Sequence, residues 1–278
     1  MPSEHGFDCL DVTVRDGVAV AVIDHPPINL LDRRLRADLD ELSRRVERDD
    51  NVRVLVLRSA DPEFFIAHAD ARDEVDRYAV APPKRHELGA FNAMLERYRT
   101  MPKATIAQIE GRARGGGAEL AAAFDMRFAA RGRALLSQPE VALGICPGGG
   151  ATQRLPRLMG RGRALEVLLG CDDVDADLAE RYGWVDRALD PPELGPFVDR
   201  LARRIASFPA SAIRYAKLAV EAAQPSPIPG LLEEYDCFNR SVVEPAASAR
   251  LHAFLDAGGQ TRDYERDLGA RLAELPPA

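Results

Sequence analysis

A strand-to-helix turn built on three consecutive glycines places the strongest constraint on how this chain can fold. The apolar segment from Ala104 to Ile109 is typical of a buried strand, and the Ala-rich segment 118–124 is typical of a helix. Residues 115–117, all glycine, precede that helix directly. Glycine lets the backbone approach a ligand without an intervening Cβ, and the first N–H groups of a helix have no partner within it. The turn therefore predicts a site for an anion or a developing oxyanion.

Two glutamates accompany this turn. Glu119 lies one turn into the Ala-rich helix, and Glu140 follows Gln138 and Pro139 at the end of another apolar segment. Either glutamate alone is more often a solvated residue than a functional one, and a first-turn Glu ordinarily complements the helix dipole. The pair, next to an anion-favouring turn and followed by a second glycine-rich segment at 144–150, predicts proton transfer beside an oxyanion.

Other functions of glycine-rich segments fit the sequence less well. Residues 115–120 lack the third glycine of a dinucleotide-binding fingerprint, and residues 144–150 lack the Lys-Ser/Thr of a phosphate loop. The five histidines show no pair at metal-ligand spacing, and no Gly-x-Ser-x-Gly elbow is present. We therefore expect no metal site.

Composition narrows the class of protein. A chain of 278 residues is long enough for one large α/β domain or two modest ones. A net charge of -7 without an obvious basic face argues against a nucleic-acid partner. Four cysteines without Cys-x-x-Cys spacing favour a reduced protein, and neither a signal peptide nor an apolar run of about 20 residues is apparent. The expected location is cytoplasmic, with no membrane association.

Hydrophobic periodicity predicts the order of elements. A hairpin is expected from Leu10 to Ile23, a helix from Arg33, a strand over 51–57 and a helix over 73–99 with an interruption at its two prolines. Strands that alternate with helices favour a parallel, helix-covered sheet. Proline-separated helical segments dominate the last third. We therefore predict an α/β core over residues 1–190 and a helical subdomain over residues 191–278.

The combined pattern resembles the enoyl-CoA hydratase/isomerase (crotonase) family, and the resemblance runs from the strand pair near Leu10 to the segment 247–256. It implies a crotonase-like spiral of β-β-α units that carries the acyl-CoA site over residues 1–190. It also implies that the C-terminal helices over residues 191–278 form an oligomerisation subdomain and mediate trimer formation. A homotrimer or hexamer is therefore expected.

The same resemblance assigns roles to residues. It implies that the N–H groups of Ala69 and Gly116 stabilise the thioester oxyanion, that Glu119 activates water, and that Glu140 protonates C2 of a 2-enoyl-CoA. An acyl-CoA is then the expected small-molecule partner, with coenzyme A as part of the substrate and no separate cofactor. The resemblance also implies a coenzyme A contact surface, in which Arg72 would meet phosphate: Ala67, His68, Ala69, Asp70 and Arg72.

Two residues depart from the family pattern. His68 stands where the family usually has glycine, so a positive φ there would make it costly. Arg114 replaces a commonly apolar residue, and would be able to pair with a substrate carboxylate or with one of the two glutamates. Three hypotheses therefore stay open: a 2-enoyl-CoA hydratase, another enolate reaction such as double-bond isomerisation, and a non-catalytic acyl-CoA-binding protein.

Overall fold

The computed structural model describes residues 6–75, 77 and 79–276. The larger of its two sheets is mostly parallel, with one antiparallel pair between its first two strands. In spatial order, the larger sheet contains β1 (Leu10–Arg15), β2 (Val18–Ile23), β3 (Val54–Ser59), β5 (Ala104–Ile109), β7 (Met126–Ala130) and β10 (Arg187–Leu189). The predicted hairpin and parallel sheet are confirmed.

A second, smaller sheet lies beside the first. Its strands, in spatial order, are β4 (Phe64–Ile66), β6 (Arg112–Arg114), β8 (Leu135–Ser137) and β9 (Val174–Asp175). The chain passes from β3 to β4, from β5 to β6 and from β7 to β8, so each unit contributes one strand to each sheet before it enters a helix. This repetition of β-β-α units produces a spiral, and it carries the loops after β4 and β6 to the same end of the smaller sheet.

Helices cover the spiral and fill the last third of the chain. In chain order, the described helices are α1 (Arg33–Arg48), α2 (Ala90–Thr100), α3 (Gly116–Ala122), α4 (Ala151–Met159), α5 (Arg161–Gly170), α6 (Ala176–Tyr182), α7 (Pro191–Ala206), α8 (Ala210–Glu221), α9 (Ile228–Ser241), α10 (Pro245–Asp256), α11 (Arg262–Glu265) and α12 (Leu268–Glu274). Two short 3₁₀ helices, Ala71–Asp73 and Val141–Leu143, follow β4 and β8.

The structure shortens one predicted helix. Of the segment 73–99, only the part from Ala90 is α-helical, and the described residues between the 3₁₀ helix and α2 have no regular structure. Pro82 and Pro83 explain the difference, because proline lacks an N–H and pushes the preceding residue away from helical geometry. Asp76 and Tyr78 lie outside the described residues.

The C-terminal helices close one end of the spiral. Phe238, Leu251, Phe254 and Leu268, from three of these helices, pack in one core with Leu143 of the second 3₁₀ helix. That 3₁₀ helix directly follows Glu140, so the C-terminal helices support one wall of the predicted site. The division of the chain at residue 190 stays a prediction.

Helix α8 differs from its neighbours because none of its residues is buried. Tyr215, Leu218 and Val220 are exposed on it. The expected trimer or hexamer stays a prediction.

Candidate active site

A cavity of about 530 Å³ brings four sequence-predicted residues together. Ala69, Gly116, Glu119 and Glu140 all line it, although they come from three different β-β-α units. Ala69 and Gly116 are neighbours across two loops, since a Cβ added to Gly116 would lie 3.7 Å from the Cβ of Ala69. The cavity therefore offers two backbone amides and two carboxyl groups to one bound molecule.

The glycine turn is needed for this close approach. Gly115 has φ +48°, and a Cβ there would lie 2.8 Å from Oε1 of Glu140. A Cβ on Gly117 would lie 2.6 Å from the carbonyl oxygen of Ile66, so any larger residue would push α3 away from β4. The glycines thus set both the path of the turn and the position of α3.

The two candidate oxyanion donors are unpaired. Among the residues that the structure describes, the N–H groups of Ala69 and Gly116 have no hydrogen-bond acceptor. Gly116 is the first residue of α3, where an intrahelical acceptor is not available. Both N–H groups are therefore available to a ligand oxygen.

Glu119 is held by the N-terminal turn of α4. Its side chain is buried, and Oε1 accepts hydrogen bonds from the N–H groups of Gly149 at 2.8 Å and Ala151 at 3.1 Å. Burial raises the pKa of Glu119, whereas the two N–H groups and the nearby charges of Arg154 and Arg36 act in the opposite direction. These donors favour the carboxylate form.

Glu140 has the opposite environment. Burial and the negative charge of Glu119 raise its pKa well above the ordinary value. When the side-chain amide of Gln138 is oriented so that both its oxygen and its nitrogen have suitable hydrogen-bond partners, the nitrogen donates to Oε2 of Glu140 at 3.0 Å. Because two neighbouring carboxylates resist simultaneous ionisation, this environment favours ionised Glu119 beside protonated Glu140.

A third buried carboxylate, Glu234 of α9, was missed by sequence reasoning. It accepts hydrogen bonds from the N–H groups of Gly150 at 2.5 Å and Thr152 at 2.8 Å. The N–H groups of residues 149–152 thus serve Glu119 and Glu234 alternately. Burial and the charge of Glu119 raise the pKa of Glu234 to about 8. No local motif marks Glu234, because its partners lie more than 80 positions away in sequence.

The residues expected to contact coenzyme A are only partly gathered here. Of that set, Ala69 lines the cavity, while Ala67 and His68 are buried. Asp70 caps the 3₁₀ helix by accepting from the N–H of Arg72, whose side chain is 63% exposed. The cations that do line the cavity are others: Arg33, Arg36, Arg77 and Arg85.

Phe91, Met94, Leu95 and Tyr98 form an apolar stripe along α2 that divides between two environments. Phe91 and Met94 line the cavity, whereas Leu95 and Tyr98 are fully buried in the main core. Helical periodicity identifies the stripe but does not show which of its members face a ligand.

The two departures from the family pattern point away from the reaction site. Arg114 is fully buried and donates two hydrogen bonds of 2.7 Å to Asp173, so the expected pairing with a substrate carboxylate or with one of the two glutamates is wrong. His68 is not among the described residues with positive φ, and its ring bonds to Glu265. Neither residue belongs to the cavity wall.

A chain of polar groups elsewhere resembles a nucleophilic triad but lacks a nucleophile. Sγ of Cys9 lies 3.4 Å from Nδ1 of His25, whose Nε2 lies 2.8 Å from Asp32. Cys9 is 1% exposed, and burial with the charge of Asp38 raises the pKa of its thiol to about 11. The thiolate is therefore strongly disfavoured there.

The Glu140 environment predicts a pH-dependent gain in stability. Folding raises the pKa of Glu140 from its ordinary value of 4.5, so the unfolded chain ionises at lower pH than the folded protein. As pH rises from 4.5 towards the folded pKa, this difference increasingly destabilises the fold. We expect Glu140→Gln to raise the melting temperature near neutral pH, with each kcal/mol worth about 2–4 °C, and to lose this advantage towards acid pH. Thermal scans across pH measure it, with exposed Glu193→Gln as the control. Equal scans of wild type and Glu140→Gln at every pH would contradict it.

Within the described ranges, none of the helices combines the length and apolar character needed to cross a lipid bilayer.

Comparisons with known proteins agree on the family. Residues 13–244 match the family model for enoyl-CoA hydratase/isomerase. A crotonyl-CoA hydratase from Syntrophomonas wolfei is 35% identical over 242 residues, which are 86% of this chain and 92% of that protein. A short-chain-enoyl-CoA hydratase from Clostridium acetobutylicum is 34% identical over 73% of this chain and 77% of its own.

A solved structure extends the likeness to the fold. The crystal structure of a Streptomyces avermitilis protein described as an enoyl-CoA hydratase has a TM-score of 0.89 and 40% identity, and covers 97% of this chain and 98% of that one. The predicted crotonase-like spiral with C-terminal helices is confirmed. The chain therefore belongs to the enoyl-CoA hydratase/isomerase family.

Proposed function

We propose that this protein is an enoyl-CoA hydratase that adds water across the double bond of a 2-enoyl-CoA thioester. The observation that carries the proposal is the convergence of Ala69, Gly116, Glu119 and Glu140 on one cavity. The names of the two hydratase relatives favour a short acyl chain. Coenzyme A enters as part of the substrate.

The chemistry follows from the four groups. The N–H groups of Ala69 and Gly116 donate to the thioester oxygen, where negative charge develops; such a donor is worth about 3–4 kcal/mol in the transition state. The Glu119 carboxylate takes a proton from water as the water oxygen bonds to C3. The Glu140 carboxylic acid donates its proton to C2. The product then carries the hydroxyl group on C3 and the new proton on C2. Transfer of a proton from Glu119 to Glu140 restores the starting state of the enzyme.

Charge at the cavity suits the rest of the substrate. Arg33, Arg36, Arg77 and Arg85 line it, and arginine pairs well with phosphate. We propose that some of these arginines contact the coenzyme A phosphates, beside the backbone of residues 67–70. Arg36 also favours the ionised form of Glu119.

Ultraviolet absorbance tests the function. Short- and medium-chain 2-enoyl-CoA esters are expected to lose the absorbance of the conjugated thioester in the presence of the protein. A matched 3-enoyl-CoA ester is the control, because its conversion to the 2-enoyl form without water uptake would identify an isomerase instead. Saturable binding of acyl-CoA without turnover of either series would identify a binding protein and overturn the proposal.

A further inference from the structure

The loop that carries the Ala69 N–H is held by a C-terminal segment, residues 260–265, which we call the clasp. Nε2 of His68 lies 3.0 Å from Oε1 of Glu265, and Nε2 of Gln260 donates to Oδ1 of Asp70 at 2.9 Å. The same Glu265 oxygen accepts from the Gln260 N–H at 2.9 Å. The clasp therefore contacts both sequence neighbours of Ala69.

His68 also determines how the peptide groups around Ala69 are oriented. Nδ1 of its ring lies 2.7 Å from the carbonyl oxygen of Ala69. Its own carbonyl, which shares a peptide plane with the Ala69 N–H, accepts from the N–H of Leu31 at 2.9 Å. The peptide plane that contains the Ala69 N–H is thus held through Leu31, and the following plane is held through the His68 ring. Together these hydrogen bonds restrict rotation of the backbone on both sides of the Ala69 Cα, and with it the direction of the Ala69 N–H.

The partners of the ring imply that it carries a positive charge. One nitrogen faces a carbonyl oxygen and the other a carboxylate, and both are acceptors, so both nitrogens must donate. Burial alone would lower the pKa of His68, but the charge and hydrogen bond of Glu265 outweigh it and raise the pKa. Burial likewise opposes ionisation of Glu265, yet His68 lowers the pKa of that carboxyl. The two directions agree on an imidazolium–carboxylate pair.

Other groups around the ring complete its electrostatic setting. Arg114 of β6 disfavours the imidazolium, although its charge is paired with Asp173. Glu140 lies across Gly115 from His68, since a Cβ on that glycine would lie 2.8 Å from Oε1 of Glu140 and 3.5 Å from Cβ of His68. From α10, Phe254 packs edge-on against the ring with 5.7 Å between centroids.

The clasp is itself anchored to the core of the spiral. Arg114 donates to the carbonyl of Glu265 at 2.7 Å while it holds Asp173. A buried arginine with these partners has little freedom to move, because each lost hydrogen bond would leave a desolvated charge. The position of Glu265 is therefore fixed by Arg114 of β6. The His68 ring contacts both Glu265 and the Ala69 carbonyl, and so links the two.

We propose that His68 is a positioning residue: as an imidazolium bound to Glu265, it holds the Ala69 peptide groups so that the Ala69 N–H meets the thioester oxygen. The C-terminal clasp thereby acts on the reaction indirectly, because it positions an oxyanion donor of the same chain. This inference rests on the proposed function, because it needs Ala69 to act as an oxyanion donor.

Nuclear magnetic resonance of the histidine ring protons tests the ion pair without any substrate. The His68 signal is identified by its absence from the His68→Gln variant. It is expected to titrate above the ordinary range of a histidine, and to move towards acid pH in Glu265→Gln. A His68 ring that is neutral near neutral pH in the wild type would overturn the proposal.

Kinetics test the consequence for the reaction. Because an oriented donor acts in the transition state, His68→Gln is expected to lower kcat by about tenfold or more with KM changed less. In Glu265→Gln, the new amide can still bond to a neutral His68 ring. The loss of kcat should therefore be smaller than in His68→Gln, and the decline of activity at alkaline pH should begin at a lower pH than in the wild type. His252→Gln, on the exposed face of α10, is the matched control.

The outcomes separate this inference from the proposed function. Turnover in the wild type with unchanged kcat in His68→Gln would sink the positioning role alone. An unchanged pH profile in Glu265→Gln would do the same, because a merely structural contact would lower thermal stability and leave that profile in place. Absence of turnover in the wild type would remove the proposed function and, with it, the positioning role, while the histidine titration would still decide the ion pair.

Discussion

Glu119→Gln and Glu140→Gln are each expected to lose about 100- to 10,000-fold in kcat, the usual contribution of a positioned acid or base. In the Glu119→Gln variant, the new amide oxygen can still accept from the N–H groups of Gly149 and Ala151, so the fold of the loop should survive. In the Glu140→Gln variant, the new side chain has the shape of the carboxylic acid that it replaces. Turnover is measured with the 2-enoyl-CoA ester that the wild type hydrates fastest.

Binding and pH dependence make this result specific. Both variants should keep acyl-CoA affinity within a few fold, because neither substitution removes the Ala69 or Gly116 donor. In the wild type, activity should rise with pH as Glu119 ionises and fall as Glu140 ionises, since both pKa values are raised. The exposed Glu193→Gln is the matched control. Wild-type turnover in both active-site variants would remove the proposed acid and base.

The second largest effect is expected for Gly116→Pro. Its kcat should be about 100- to 1,000-fold lower than that of Gly116→Ala, because proline removes one oxyanion donor. Gly116 is the first residue of α3, a position where proline is well tolerated in helices, and its φ is not positive. The substitution therefore removes the N–H with less damage than it would cause further into the helix.

The alanine variant controls for size. A Cβ on Gly116 would lie 2.8 Å from Cδ2 of Leu31, the end of a side chain that can shift, and 3.7 Å from the Cβ of Ala69. Gly116→Ala keeps the N–H, so the ratio of the two variants isolates the hydrogen bond from the added volume as far as the proline ring allows. Circular dichroism checks that α3 is intact. Equal kcat in the two variants would show that the Gly116 N–H does not stabilise the transition state.

Much of the fold was predictable because its signals are local. Alternation marked the hairpin, and helical periodicity marked α1. The failure came among the described residues between Glu74 and Gly89, which were predicted to belong to a longer helix than α2. Pro82 and Pro83 prevailed there, since two missing donors outweigh a favourable pattern.

The sequence by itself determined the chemistry that the site can attempt. Three glycines permit a close turn, and two glutamates supply carboxyl groups, because backbone freedom and side-chain acidity belong to individual residues. Tertiary structure alone decided which of these groups meet and in which protonation state. Burial raises the pKa of both Glu119 and Glu140, and the charge of Glu119 acts further on Glu140. Packing of distant helices brings Glu234 and Glu265 to loops more than 80 residues away in sequence. Such effects depend on distance and solvent exclusion in three dimensions, so no local stretch of sequence contains them.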